Sequence, residues 1–127
     1  LSTLESMMTG TPIVAVKTGG LTRQVVDHRD GTENGSAVDI DLQTLVGSQS
    51  VPYIYEDYAT NENIAKGIKR LYMKTKDPID KKALSEKVLQ YAHSEFDLDN
   101  TIDAWNDSML SAIKEFKERP RWFKKTF

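Results

Sequence analysis

The spacing of hydrophobic positions changes about halfway along this chain. Near the start, Leu4, Met7 and Met8 give one apolar face to a short helical stretch, with the capping types Ser2 and Thr3 ahead of it and Glu5 near its first turn. Gly10 is placed to stop that helix. Pro12-Ile13-Val14-Ala15-Val16 is then a continuous run, rich in branched residues and too short for a helix, which predicts a buried parallel strand. Gly19-Gly20 breaks the chain, and Leu21 to Val26 predict another short helix. Asp30-Gly31 and Asn34-Gly35 are turn signals, and Ser36 to Ile40 predict one more short strand. Leu42 to Val51 reads as a loop or a lone turn, followed by Tyr53, Tyr55 and Tyr58.

From Glu62 onward the pattern is helical. Ile64, Ile68, Leu71 and Tyr72 keep helical spacing up to Asp77-Pro78, and Leu84, Val88 and Tyr91 mark a second helix. Leu98, Ile102, Trp105, Met109, Ile113 and Phe116 form the clearest stripe, and Asp97 and Asp99 at its start suit both cap and helix dipole. The pattern thus gives one or two strands against about six helices. A parallel sheet needs neighbours on both sides of each strand, so so few strands point to the back half of a larger sheet whose front half lies upstream. The fold class expected is α/β: part of a Rossmann-like parallel-sheet domain with a helix-rich C-terminal end.

Composition narrows the classes. With 127 residues, 39% hydrophobic and 28% charged, the chain has room for about one globular domain and is not a disordered tail or a rod. No apolar run approaches the ~20 residues of a membrane span, and no basic start followed by an apolar stretch marks a secretory leader. The absence of cysteine excludes a disulfide scaffold, a thiolate metal site and a cysteine nucleophile, and a cytoplasmic setting fits it best. Charge is uneven: residues 1–63 carry three basic and nine acidic side chains, whereas 64–127 carry fourteen and ten, which returns the net −2. Neither half is basic enough to make nucleic acid a default partner, although the tail Arg119-Pro120-Arg121-Trp122-Phe123-Lys124-Lys125 is locally basic.

The residues that carry chemistry lie at the start. The run Leu1-Ser2-Thr3-Leu4-Glu5, the turn Gly10-Thr11-Pro12, the apolar strand and Thr18-Gly19-Gly20-Leu21 together resemble the retaining glycosyltransferases of the GT-B fold, the family around glycogen synthase and sucrose synthase. That family's hallmark is an acid, seven residues and a second acid, and Glu5 stands where the second acid belongs. Asn34-Gly35 matches a later turn; the likeness covers residues 1–38 well and the helices from 62 onward in pattern only. After Gly-Gly-Leu the family has a small residue, an acid and an aliphatic one, whereas this chain has Thr22, Arg23 and Gln24.

The resemblance implies that residues 1–118 form the C-terminal portion of a nucleotide-sugar-binding domain, with residues 119–127 as a tail against an N-terminal domain of the same protein. It implies donor contacts from Leu1, Ser2 and Thr3, whose helix end offers unpaired N–H groups to a diphosphate, and from Glu5, which would hold the nucleotide ribose. The first acid and the basic residues that neutralise the diphosphate would fall before Leu1, so no catalytic residue is expected in this chain. The reaction implied is transfer of a hexose from a UDP- or GDP-sugar with retention at the anomeric carbon, without a metal cofactor. The acceptor is left open among glycan, lipid, protein and modified nucleic acid. A sugar-nucleotide epimerase or phosphorylase on the same fold is the alternative among enzymes, and a non-catalytic binding or assembly module the alternative outside them.

Other positions weigh less. The stretch from Asp41 to Glu56 looks longer than the usual link, so its tyrosines either face an acceptor or pack the loop on the core. His28 and His93 lack a second ligand at metal spacing, and Asp27, Asp30, Asp39 and Asp41 lack calcium-loop spacing and read as turn residues. The Trp105 stripe is expected to be core, or a helix face that packs on the partner domain together with Trp122 and Phe123.

Overall fold

The computed structural model describes residues 1–119, which fall into two units, Leu1–Ser94 and a second beginning at Glu95. The first is mixed α/β. Helix α1 (Ser2–Met8) leads through Thr9–Pro12 into strand β1 (Ile13–Val16), and helix α2 (Leu21–Val25) leads to strand β2 (Gly35–Val38). The two strands pair in parallel, with Ile13 opposite Gly35 and Val16 opposite Val38. Strands β3 (Leu42–Leu45) and β4 (Tyr55–Tyr58) form a separate antiparallel hairpin. Helices α3 (Asn61–Lys74) and α4 (Pro78–Phe96) follow. The described residues thus hold five helices and four strands rather than six helices and one or two strands.

The apolar runs place the core. Met7, Ile13, Ala15, Val25, Ala37, Val38, Val88, Tyr91 and Ala92 are buried, so α1, α2 and α4 each turn one face inward and the parallel pair is covered. Gly67 of α3 is buried hard against β2: a Cβ there would lie 2.6 Å from Val38 Cγ2. Gly10, in the left-handed region at φ +75°, ends α1 as its position implies. The Asp77-Pro78 break begins the next helix: the Asp77 carboxylate accepts from the Ile79 N–H at 2.7 Å, and Pro78 takes the first helical position.

The two edges of the parallel pair differ. Asn34 and Val38 offer their carbonyls to Ile13 and Lys17 on the β1 side. On the far side, the Gly35 carbonyl accepts from Lys74 Nζ at 3.2 Å and the Ala37 carbonyl accepts from Arg70, whose Nε also reaches Ser36 Oγ at 2.9 Å. Long cationic side chains from α3 thereby close the outer edge of β2. The opposite edge of β1 has no partner strand among the described residues.

Asp27 is more than a turn residue. It is 5% exposed, receives both the backbone N–H and the guanidinium of Arg29, and that guanidinium also stands over the Tyr91 ring at 4.9 Å. The Arg29 hydrogen bonds, above all, hold its carboxyl down to about 2, below the ordinary 3.8. A depressed folded value stabilises above the unfolded pKa and is lost as pH falls through the folded one. Acid titration followed by circular dichroism should therefore show a loss on the order of 1–2 kcal/mol between about pH 4 and pH 2, and Asp27→Asn should flatten that limb.

The second unit is described by itself. Helix α5 (Leu98–Glu118) starts at Asp97, whose carboxylate accepts from the Asp99 N–H at 3.2 Å, as the sequence implies. Its stripe is not core. Leu98, Ile102, Trp105, Met109, Ile113 and Phe116 are all exposed, since α5 buries no residue. Trp122 and Phe123 lie outside the described residues.

Candidate functional site

Residues at the end of the parallel pair where its strands finish give the candidate site. In an open α/β sheet that carboxyl end is where a crevice forms and ligands sit. The Thr9–Pro12 turn reverses the chain, so α1 runs back along β1 and its first residues lie toward the end at which β1 stops. Met7, at the inner face, is fully buried and fixes the helix to the sheet. Packing one buried methionine of this size contributes about 2 kcal/mol.

Ser2 and Thr3 do not cap α1. Helical geometry begins at Ser2, Leu1 takes the cap position, and no side chain bonds to the free N–H groups there. Thr3 Oγ1 instead donates to Gln24 Oε1 of α2, and the Ser2 carbonyl accepts from Ser6 Oγ at 3.0 Å. The N–H groups of the first turn lack intrahelical acceptors by geometry. Leu1, Ser2 and Glu5 are exposed, and Thr3 is half-buried. Leu1 and Glu5 are joined by the first helical hydrogen bond, Glu5 N–H to the Leu1 carbonyl at 3.0 Å.

The turn after β1 has a partner that sequence spacing could not supply. Thr18 Oγ1 donates to Asp57 Oδ2 at 2.5 Å, and Gln43 Nε2 donates to Asp57 Oδ1 at 2.7 Å. The Thr18 hydroxyl, then the Gln43 amide, hold the Asp57 carboxyl below its ordinary value. This ties the hairpin to the Thr18-Gly19-Gly20 turn. At the hairpin's base, Asp41 accepts from the Thr60 N–H at 2.7 Å and from Asn63 Nδ2 at 2.5 Å, beside the Thr60 cap of α3. Asp39 pairs with Lys17, and Asp30 accepts from the Thr32 N–H at 2.8 Å.

Of the stretch Leu42 to Val51, expected as a loop or a lone turn, Leu42–Leu45 is a strand. The reason is pairing at a distance: Leu42 opposes Tyr58 and Leu45 opposes Tyr55, across a turn without an Asn-Gly or Asp-Gly signal. Nor do its tyrosines pack a loop onto the core. Tyr53, Tyr55 and Tyr58 are 75%, 56% and 48% exposed, and Tyr53 sits at φ +67°, a left-handed backbone unusual for an aromatic residue. The Tyr58 hydroxyl donates to Glu56 Oε2 at 2.5 Å, which raises its pKa.

Metal chemistry has no focus among the described residues, where no three His, Asp or Glu side chains are grouped to hold an ion. No described helix is long and apolar enough to cross a membrane. A cavity of about 180 Å³ beside the end of β2, lined by Asp39, Asn63, Lys66 and Arg70 among others, is below the size of ordinary small-molecule pockets. Set against known proteins, the chain matches no family model, no curated protein and no solved structure.

Proposed function

We infer that this chain carries the C-terminal part of the donor domain of a retaining GT-B glycosyltransferase, with a Rossmann-like parallel sheet. One observation supports the reading above the rest. The Leu-Ser-Thr-Leu-Glu run lies on a helix, Gly-Thr-Pro on the turn, the apolar run on β1, Thr-Gly-Gly on the next turn, and β2 returns parallel to β1. That order is what a donor domain of this kind requires, and in this reading Leu1, Ser2 and Thr3 serve at the sheet's carboxyl end.

In this reading the first-turn N–H groups and the Ser2 hydroxyl receive the diphosphate of a UDP- or GDP-sugar. Glu5 accepts hydrogen bonds from the ribose hydroxyls, a task suited to an exposed carboxylate one turn into the helix. The hexose passes to the acceptor with its anomeric configuration kept, and the departing diphosphate is stabilised electrostatically without a metal. In this reading the chemistry also needs the first half of the donor domain and an N-terminal domain, and the reaction belongs to the cytoplasm. The exposed α5 stripe favours a second reading, a non-catalytic assembly module on the same scaffold.

The test is a thermal-shift series with UDP, GDP and ADP on the complete polypeptide that contains these residues. A nucleotide at ~100 times its dissociation constant stabilises by about 2.7 kcal/mol. Glu5→Ala should weaken the effective nucleotide about 10- to 100-fold, the worth of a hydrogen bond to a charged group. Absence of any shift in a folded protein would remove the transferase reading and leave the assembly module.

A further inference from the structure

We propose that the β3–β4 hairpin is a binding platform for an uncharged glycan, with Tyr53 and Tyr55 as its stacking surfaces. The proposal rests on the transferase reading only in calling that glycan the acceptor. Three observations carry it.

The first is position. The hairpin leaves the carboxyl end of β2, and Asp57 fastens it to Thr18 at the carboxyl end of β1. Side chains alternate along a strand, so Tyr55 shares a face with Asp57, and across the hairpin that face continues as Leu45 and Gln43. Tyr55 therefore stands about 7 Å along the strand from the residue that meets the Thr18 turn, on the same side. A molecule lying on this face reaches the end of the sheet where the donor residues gather.

The second is surface chemistry. Tyr53 and Tyr55 are among the most exposed aromatic side chains of the first unit, and Tyr53 lies in the connection between the two strands with a left-handed backbone. A pyranose presents a patch of C–H groups on its ring face and a rim of hydroxyls. Exposed tyrosines offer flat apolar area with a polar edge, and Gln43, on the Tyr55 face, supplies an amide for the rim.

The third is charge. Between Arg29 and Lys66 the sequence has no lysine, arginine or histidine, but it has seven acidic residues: Asp30, Glu33, Asp39, Asp41, Glu56, Asp57 and Glu62. The hairpin itself thus carries no cation, and Lys17, Arg70 and Lys74 of other elements are paired with Asp39 and Glu33, so its face offers little to phosphate backbones or anionic headgroups. Among the acceptors considered, nucleic acid and anionic lipid are disfavoured, and neutral sugar rings, whose hydroxyls donate to carboxylates, fit.

Saturation-transfer NMR on the 127-residue chain tests this with neutral gluco-, manno- and galacto-configured hexasaccharides, and with single-stranded dT20 as the anionic control. At least one hexasaccharide should receive saturation on its ring C–H protons, and dT20 none. The signal should fall at least fivefold in Tyr53→Ala/Tyr55→Ala and persist in Tyr53→Phe/Tyr55→Phe, with circular dichroism unchanged in both. Silence from all three saccharides, an undiminished signal in the double alanine variant, or transfer to dT20 would overturn the proposal. So would self-association abolished by the alanine pair without any saccharide signal, which would make the face a protein contact. Saccharide binding without any nucleotide shift removes the transferase reading alone, whereas a nucleotide shift without saccharide binding removes only the platform.

Discussion

A Gly35→Ala variant is expected to lose about 4 kcal/mol or more, enough to unfold the Leu1–Ser94 unit at room temperature. Gly35 opens β2 with φ +149°, a region that side chains rarely enter. A Cβ at this position would stand 2.0 Å from the Ile13 carbonyl oxygen and 2.7 Å from the Ile13 nitrogen. Both atoms belong to the backbone of the paired strand, so no side-chain rotation relieves the clash. The only escape is to part the strands at Ile13, where the pairing begins. Gly31→Ala is the control: it shares a positive φ of +75° but meets nothing within 4 Å, and should cost about 1 kcal/mol. Urea unfolding followed by circular dichroism separates the two. A Gly35→Ala unfolding free energy within about 1 kcal/mol of wild type would mean that β1 and β2 do not pair in this register.

The second large effect belongs to Tyr91. Its side chain is 2% exposed, its hydroxyl donates to the Arg23 carbonyl at 2.6 Å, and Arg29 covers its ring. One residue of α4 therefore clasps both α2 and the loop beyond it. Truncation in Tyr91→Ala removes a buried ring and should cost about 3–5 kcal/mol. Tyr91→Phe keeps the ring and deletes the hydroxyl, so its cost should be about 1 kcal/mol, the value of one part-buried hydrogen bond. The ratio is the diagnostic. Equal losses in the two variants would assign the anchoring to the hydrogen bond instead of the ring.

The parts that could be read in advance are those whose signal is local. Ile13 to Val16 announced β1 because four consecutive apolar residues have only one economical home, and Gly10 marked the end of α1 because its φ demands glycine. Asp77-Pro78 was visible as a break, though its role as the cap of the following helix depends on a side-chain bond. The hairpin was not legible. Its strands mix polar and apolar residues on both faces, and its anchor joins Thr18 to Asp57, 39 residues apart. Asp27 was legible as a turn residue and does open a turn, but its pairing with Arg29, whose guanidinium stands over the Tyr91 ring of a later helix, required the fold. At the candidate site, the identities of Leu1, Ser2, Thr3 and Glu5 carried the resemblance, but the diversion of the Thr3 hydroxyl to Gln24 required the fold. The α5 stripe was legible as a stripe, but the choice between core and a face for another domain was not, because periodicity reports which face is apolar and is silent about what lies against it.

Arg70 and Lys74 also decide on which side the parallel pair can take a further strand. Their donors occupy the Ala37 and Gly35 carbonyls along the outer side of β2, while β1 offers its other side unpaired among the described residues. An added strand therefore finds free main-chain groups beside β1 and engaged ones beside β2. Two long cations on one helix thus give the parallel pair a direction of growth.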